Sequence, residues 1–394
     1  MKVVVTGIGT ISAAGNNVAE SLLSLKTSQS TIGLIENIKH IRKPFLGGQV
    51  KKSNQQFKAE LGINDNEIIP RSTLLSLTAA KEAWADQPLN TEIRTGIISA
   101  TSIGGMELSE QFYFNYLQTG SMQSIQNLAV HDNGAGTDIL ARYFNIDSFK
   151  FTISTACSSA ANAILLGARL IKGNVLDRVL VGGGDAISNF TLNGFDSLMI
   201  YDGEFCKPFD DERKGLNLGE GAGFLVLENE HSLSFTKKNI LAEIKGWANA
   251  NDSFHQTASS PDGKGATLAI KKALQQAQIS AQLIDYVNAH GTATPNNDLS
   301  ESVALKNVFG ETIPPFSSTK AFTGHTLAAA GGIEAVFSVL ALRENILLPN
   351  LNFKTPMKET GLIPITKPET KKLNYVLSNS FGFGGNSTSL IFAS

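Results

Sequence analysis

Two cysteines in 394 residues are too few for a disulfide framework. Charge is scarce as well: Asp, Glu, Lys and Arg make up 17% of the chain, and the formal net charge is −2. That balance predicts no broad attraction to nucleic acid or to an anionic membrane. No window of ~20 consecutive apolar residues, the length a membrane-spanning helix needs, is present. Low-complexity tracts are missing, and no Pro/Gly/Ser-rich linker divides the chain. The two cysteines fit a reducing, cytoplasmic compartment. Lys2 precedes only a short apolar run, interrupted by Thr6 and Gly7 and without a cleavage site. A buried first strand is the better reading than a leader.

Hydrophobic residues amount to 42%, enough for a sizeable core. Their pattern alternates. Strands are predicted at 3–5, 95–100, 149–154, 179–182 and 223–228, with helices at 74–84 and 160–172 between them. Such alternation argues for an α/β fold. The Gly- and charge-rich stretch 204–221 reads as a surface loop. Near residue 236 the layout returns: a strand at 240–246, a helix at 265–276, strands at 286–289 and 375–378. "SSTKAFTGHTLAAAGGIEAVFSVLALREN" parallels "ISTACSSAANAILLGARLIKGN", and "NSFGFGGN" parallels "VGGGDAISN". Two related halves, residues 1–235 and 236–394, are expected.

Four stretches carry residues with chemistry. Cys157, in "FTISTACSSAANAILL", lies between a strand and a helix, flanked by small residues that permit a sharp turn. At the helix N-terminus an exposed thiol would have its thiolate favoured, and nearby N–H groups could hold an oxyanion. A buried structural cysteine is the other reading. His290 follows an apolar strand in "VNAHGTATPNNDLSE", with Asp298 and Glu301 downstream. That spacing suits a neutral imidazole handling protons or donating hydrogen bonds better than a metal site, which wants more ligands closer together. Lys320 and His325 lie five residues apart before a helix rich in Ala and Gly; a solvated charge and a loop cap remain the alternatives. "GFGG" at 382–385 lacks the spacing of a phosphate-binding loop and reads as a flexible loop bearing Phe381 and Phe383.

Together, in this order, the four stretches resemble the β-ketoacyl-acyl-carrier-protein synthases, the elongating Cys-His-His type. The resemblance runs from "VVVTGIGTIS" to "NSFGFGGN". It implies a thiolase-like fold, a layered αβαβα core of two duplicated halves, and a homodimer. It implies Cys157 as the acyl-accepting nucleophile, His290 and His325 as the active-site histidines, and Lys320 with Glu301 as its paired acid. Phe383 matches a gating residue whose N–H completes the oxyanion hole. Ile103 matches the acyl-pocket mouth, and Thr257, Thr292 and Thr294 match positions along the pantetheine arm. The implied partner is an acyl-carrier protein bearing substrate on phosphopantetheine, with no metal and no other cofactor. The implied reaction is decarboxylative condensation of a malonyl thioester with the Cys-bound acyl chain.

The sequence departs from the family pattern in places. Lys207 stands where Arg often precedes Pro-Phe-Asp, and Gly385-Asn386-Ser387 replaces a usual Gly-Thr-Asn. "IIPRSTLLS" carries few basic residues, leaving Arg71 and Lys207 as candidate carrier-docking charges. His131 and Asp132 lie where the family builds acyl tunnel and dimer contact; polar lining and ordinary surface are both open readings. These departures bring a polyene or polyketide pathway into view beside fatty-acid elongation. A non-catalytic chain-length partner in a heterodimer is the second hypothesis, weighed against by the intact Cys, His, Lys and His set. A degradative thiolase would want a second cysteine late in the chain, and Cys206 lies elsewhere.

Overall fold

The computed structural model describes residues 1–36, 38, 41–85 and 90–394. Ten strands make one continuous sheet. The first five are β1 (Val4–Ser12), β2 (Thr95–Ala100), β3 (Lys150–Ile153), β4 (Arg178–Asp185) and β5 (Gly221–Glu228). The second five are β6 (Ala242–Asn251), β7 (Tyr286–Asn288), β8 (Phe316–Ser317), β9 (Tyr375–Gly382) and β10 (Asn386–Ala393). Their order is β8-β7-β9-β10-β6-β1-β5-β4-β2-β3. Outward from the central β6–β1 junction, both sides run first, fifth, fourth, second, third strand. The senses repeat as well: β1·β5 and β5·β4 are antiparallel, β4·β2 and β2·β3 parallel. Likewise β6·β10 and β10·β9 are antiparallel, β9·β7 and β7·β8 parallel. The two sides meet where Val4 and Val5 pair with Glu243 and Ala242.

Six of the helices form the layers: α1 (Arg71–Trp84), α2 (Asn133–Phe144), α3 (Ser159–Lys172), α4 (Lys264–Ala277), α5 (Pro295–Phe309) and α6 (Ala330–Glu344). α3 packs on β2, β3, β4 and β5 and also on β6 and β10. α6 packs on β6, β9 and β10 and also on β1, β4 and β5. These two helices touch each other and fill the middle, which is why most of their residues are buried and apolar or small. α1 and α2 cover the outside of one half, α4 and α5 the outside of the other. The result is the αβαβα sandwich that the alternation and the resemblance anticipate.

Two expectations change. β1 continues to Ser12 through Gly7 and Gly9, which look like turn residues in the sequence. They are bare because α1 crosses there: a Cβ on either would lie 2.0 Å from a backbone oxygen of Ala83 or Ala79. The stretch 204–221 is a surface loop only in part: Glu204, Phe205, Glu212 and Lys214 are exposed. Cys206, Phe209, Asp210, Leu216 and Glu220 are buried, and the two acids among them have partners inside. Asp210 accepts the N–H groups of Lys354 (2.6 Å) and Thr355 (2.8 Å), and Glu220 pairs with Arg71 at 2.7 Å.

Candidate active site

Cys157 leaves β3 through a turn in which Ala156 takes a left-handed backbone conformation, φ 53°. Its small side chain keeps the strain of that conformation low. The turn is stapled locally, with Thr155 N–H donating to Ser159 Oγ at 2.7 Å. Gly382 lies directly against it: a Cβ there would stand 2.9 Å from Thr155 O and 3.2 Å from Cys157 N. The two histidines arrive from the other half. His290 follows β7, and its N–H and that of Gly291 donate to Glu301 on α5 at 3.0 and 2.8 Å. His325 lies just ahead of α6, anchored by its N–H to Asn217 O at 2.7 Å. Cys157 Sγ and one nitrogen from each ring lie within 4.8 Å of one another, and all three residues are buried. The ring centroids are 5.5 Å apart and nearly perpendicular, at 88°.

Hydrogen bonding fixes which nitrogen carries each proton. Lys320 Nζ lies 3.2 Å from His290 Nδ1. An ammonium can only donate, so Nδ1 is the acceptor and Nε2 bears the hydrogen. His325 Nδ1 accepts Leu327 N–H at 3.1 Å, which puts its hydrogen on Nε2 too. Burial, then the Lys320 charge, holds both rings well below the usual histidine range. Both are therefore neutral Nε2–H donors. The trio has the atoms to ligate a metal, but Lys320's ammonium against His290 disfavours a second cation. Neutral N–H donors beside an ammonium suit an anion better.

The structure corrects two assignments here. Cys157 is 6% exposed rather than open at the apex. Burial pushes its thiol up to about 11, against the pull of Lys320 and of the backbone N–H groups of Phe383 and Cys157. The helix terminus thus does not leave a resting thiolate. Nor does Glu301 pair with Lys320. Lys320 forms its ion pair with Glu334 on α6 and donates to His290 O, while Glu301 holds the His290–Gly291 backbone and accepts from Asn379 Nδ2 at 3.2 Å.

The remaining expected residues divide. Phe383 N–H acts on the sulfur, and its ring stacks on Phe195 at 5.9 Å and 18°. Ile103 is buried, its N–H 3.4 Å from an Asp185 oxygen. The Thr292 and Thr294 hydroxyls lie 2.8 Å apart at the start of α5. Thr257 is exposed on the loop that joins the Phe383 turn through Gly384 N–H to Gln256 O, 2.8 Å. Arg71 is not a free docking charge. It forms two bonds to Glu220 (2.8 and 2.7 Å) and one to Asn54 (2.9 Å). Lys207 stands between Glu204 (3.7 Å) and Glu212 (3.9 Å). His131 and Asp132 are exposed in this chain, with His131 Nδ1 2.8 Å from Ser109 Oγ.

Sequence reasoning missed Glu334 and Asp185. Glu334 had a visible signal, a lone acid inside the apolar run "GGIEAVFSVLAL". Asp185 accepts from Thr101 Oγ1, from Ser102 N–H at 3.0 Å and from Ala328 N–H at 2.9 Å. It ties the Ile103 loop to the segment after His325.

Comparison with known proteins agrees with this geometry. Residues 1–232 match the family described as "Beta-ketoacyl synthase, N-terminal domain", and residues 241–354 its "C-terminal domain". The 3-oxoacyl-[acyl-carrier-protein] synthase 2 of Staphylococcus aureus (strain MRSA252) is 32% identical over 414 residues, covering 100% of this chain and 98% of the relative. The solved ishigamide ketosynthase/chain length factor superposes with a TM-score of 0.93 at 26% identity, covering 100% and 99% of the two chains. AntDE:AntF, a type II polyketide synthase acyl-carrier protein in complex with its ketosynthase, superposes at 0.89 with 27% identity and the same coverage. The chain, matched over both halves and carrying the Cys-His-His constellation in one buried cluster, belongs to the β-ketoacyl synthase family and has the fold and machinery of an acyl-transferring condensing enzyme.

Proposed function

We propose that the protein condenses a malonyl thioester with an acyl chain held on Cys157, both delivered by an acyl-carrier protein. In the first half-reaction Cys157 Sγ attacks the acyl thioester carbonyl. The N–H groups of Cys157 and Phe383 hold the oxyanion, and the carrier thiol leaves with the proton. In the second, the C–C bond to the malonyl carboxylate breaks and carbon dioxide departs. Its electron pair becomes an enolate whose oxygen meets the Nε2–H groups of His290 and His325. The carbanion then attacks the acyl carbonyl, the C–S bond breaks with its electron pair going to Cys157 Sγ, which takes up a proton to restore the thiol, and the β-ketoacyl product leaves on the carrier. The scheme uses no cofactor beyond the phosphopantetheine arm.

The observation that carries this reading is the pair of neutral imidazoles, each with Nδ1 occupied, within 4.8 Å of the thiol. A proteolytic cysteine would want one histidine as its base and a side chain orienting that base. A second donor histidine beside a lysine fits enolate stabilisation instead. Retention of the whole set speaks against a non-catalytic chain-length partner. Cys206 is buried with its Sγ 3.9 Å from Lys320 O, outside the trio, which speaks against a thiolase.

A second subunit is part of the proposal. Among the described residues, the outer strand β3 leaves one edge of the sheet unpaired, and it bears the exposed Phe151. Tyr113, Tyr116 and Leu117, on the helix Met106–Thr119, are exposed as well. Such an edge and apolar residues are covered in a stable protein, by a second copy or by a chain-length factor like that in the ishigamide pair. Among the described residues no helix is long and apolar enough to cross a membrane.

The test is intact mass spectrometry after mixing the protein with acyl-carrier proteins of graded chain length. A retained acyl mass on the wild type that vanishes in Cys157→Ala supports the assignment. An adduct that survives that substitution overturns it.

A further inference from the structure

The departure at Gly385-Asn386-Ser387 has a structural counterpart. Asn386, the first residue of β10, places its Oδ1 where three donors converge: Ser158 Oγ at 2.7 Å, Asn249 Nδ2 at 2.8 Å and Asn162 Nδ2 at 3.0 Å. Ser158 is the residue after Cys157, Asn162 lies one turn further along α3, and Asn249 is on β6 of the opposite half. Asn162 Oδ1 in turn accepts from Thr388 Oγ1 at 2.8 Å and Asn249 Nδ2 at 3.1 Å. One amide oxygen therefore joins the start of the nucleophile's helix to two strands of the other half.

Only three residues, Phe383 to Gly385, separate this hub from Gly382, which is pressed against the Thr155–Ser158 backbone. Two of the three are glycines with left-handed backbones, φ 77° and 76°. Such a turn has little stiffness of its own. The neighbouring loop holds its middle, through Gly384 N–H to Gln256 O (2.8 Å), Asn251 Nδ2 to Gly384 O (2.6 Å) and Asp252 N–H to Gly385 O (3.2 Å). The two ends are set by Gly382 through contact and Asn386 through hydrogen bonds. The turn carries Phe383 N–H, one of the two backbone N–H groups that act on the sulfur, and Cys157 N–H, the other, lies one residue before Ser158. We infer that Asn386 is a positioning residue for the oxyanion hole, holding the Phe383 N–H in register with the Cys157 N–H. The inference rests on the proposed acyl transfer. It predicts that the residue matters to the half-reaction using those two N–H groups and not to the one using the histidines.

Separating the half-reactions tests this. Removing an oxyanion donor outright costs ~10²–10³ in rate; loosening one should cost less. In Asn386→Ala, single-turnover transfer of an acyl group from carrier to Cys157 should slow by ~10–100-fold. Carbon dioxide release from malonyl-carrier protein should stay within about twofold of wild type, since both histidines keep their partners. The melting temperature should barely move. Asn162 retains Thr155 Oγ1 (2.9 Å), Asn249 retains Thr388 Oγ1 (2.9 Å), and Ser158 retains Thr155 O (2.8 Å). Asn386→Asp, which keeps the accepting oxygen, should recover most of the lost rate. Wild-type acylation in Asn386→Ala overturns the inference, as does a parallel fall of both half-reactions with the melting temperature. A wild-type protein that neither acylates nor decarboxylates overturns the functional proposal itself.

Discussion

The Lys320–Glu334 pair joins stability to chemistry, and the two can be pulled apart. Both side chains are almost wholly inaccessible, at 2% and 3%. At a hydrogen-bond separation of ~3 Å and an effective dielectric of ~20, the attraction is ~5–6 kcal/mol. Desolvating both charges offsets much of that, so the net value of the pair is small; removing one partner is not. Glu334→Gln leaves a buried ammonium unpaired and should lower unfolding free energy by ~3–5 kcal/mol. The double variant Lys320→Met/Glu334→Leu replaces the pair with apolar groups of similar bulk and should regain most of that loss. It should not regain decarboxylation. Without the ammonium donating to Nδ1, His290 is free to place its proton on either nitrogen, and the Nε2–H aimed at the enolate is no longer assured. Urea unfolding followed by circular dichroism gives the first quantity, and carbon dioxide release from malonyl-carrier protein the second. A Glu334→Gln variant as stable as wild type to within ~1 kcal/mol would refute the electrostatic argument. A double variant with full decarboxylation would refute the tautomer argument.

Three further outcomes follow from the site. His325→Ala should suppress carbon dioxide release by ~100-fold or more while the acyl-Cys157 adduct still forms; loss of the adduct alone would reverse the assigned roles. The rings of His290 and His325 are held well below 6.5, so they are neutral at pH 7 and should stay so as the pH falls through 6.5, where exposed histidines gain a proton. Nitrogen-15 NMR of labelled histidine reads this directly, and a titration of either ring near 6.5 would contradict the neutral-donor role. Arg71→Ala should cost ~3–5 kcal/mol, because Glu220 is left buried without its partner, while the KM for carrier protein stays unchanged. A raised KM with intact stability would restore Arg71 as a docking charge.

The sequence was legible where local pattern and three-dimensional role coincide. Strand 95–100 is the observed β2, and the Cys, His, Lys and His positions meet in one cluster, because each sits at a punctuated joint between an apolar strand and a helix. Gly7 and Gly9 misled because a glycine that admits a crossing helix looks like one that makes a turn. The stretch 204–221 misled for a related reason. Exposure was inferred from charge, yet Asp210 and Glu220 are satisfied by groups about 145 and 149 residues away in the chain. Partnerships at that distance leave no local trace. The same blindness exchanged Glu301 for Glu334: both acids follow a histidine motif, and only the packing of α6 against β9 and the histidine loop decides which one reaches Lys320. The thiol's environment was misjudged because its helix terminus is visible in the sequence and the layer that buries it is not.

The repeated strand order explains why this chemistry assembles where it does. Cys157 precedes α3, and His325 occupies the equivalent place just before α6. Phe383 follows β9 as Ala186 follows β4, and His290 follows β7 as the Ile103 loop follows β2. Equivalent joints from both halves therefore face one another around the two central helices. The N-terminal ends of α3 and α6 converge there, each a positive pole. A buried point between two such poles favours anions and penalises cations. Burial and the Lys320 charge keep both imidazoles neutral there, while the two poles favour an oxyanion or an enolate. Duplication supplied that shared polarity twice over. Divergence then placed a thiol at one helix start and an imidazole at the other, so one half holds the acyl chain while the other stabilises the carbanion that attacks it.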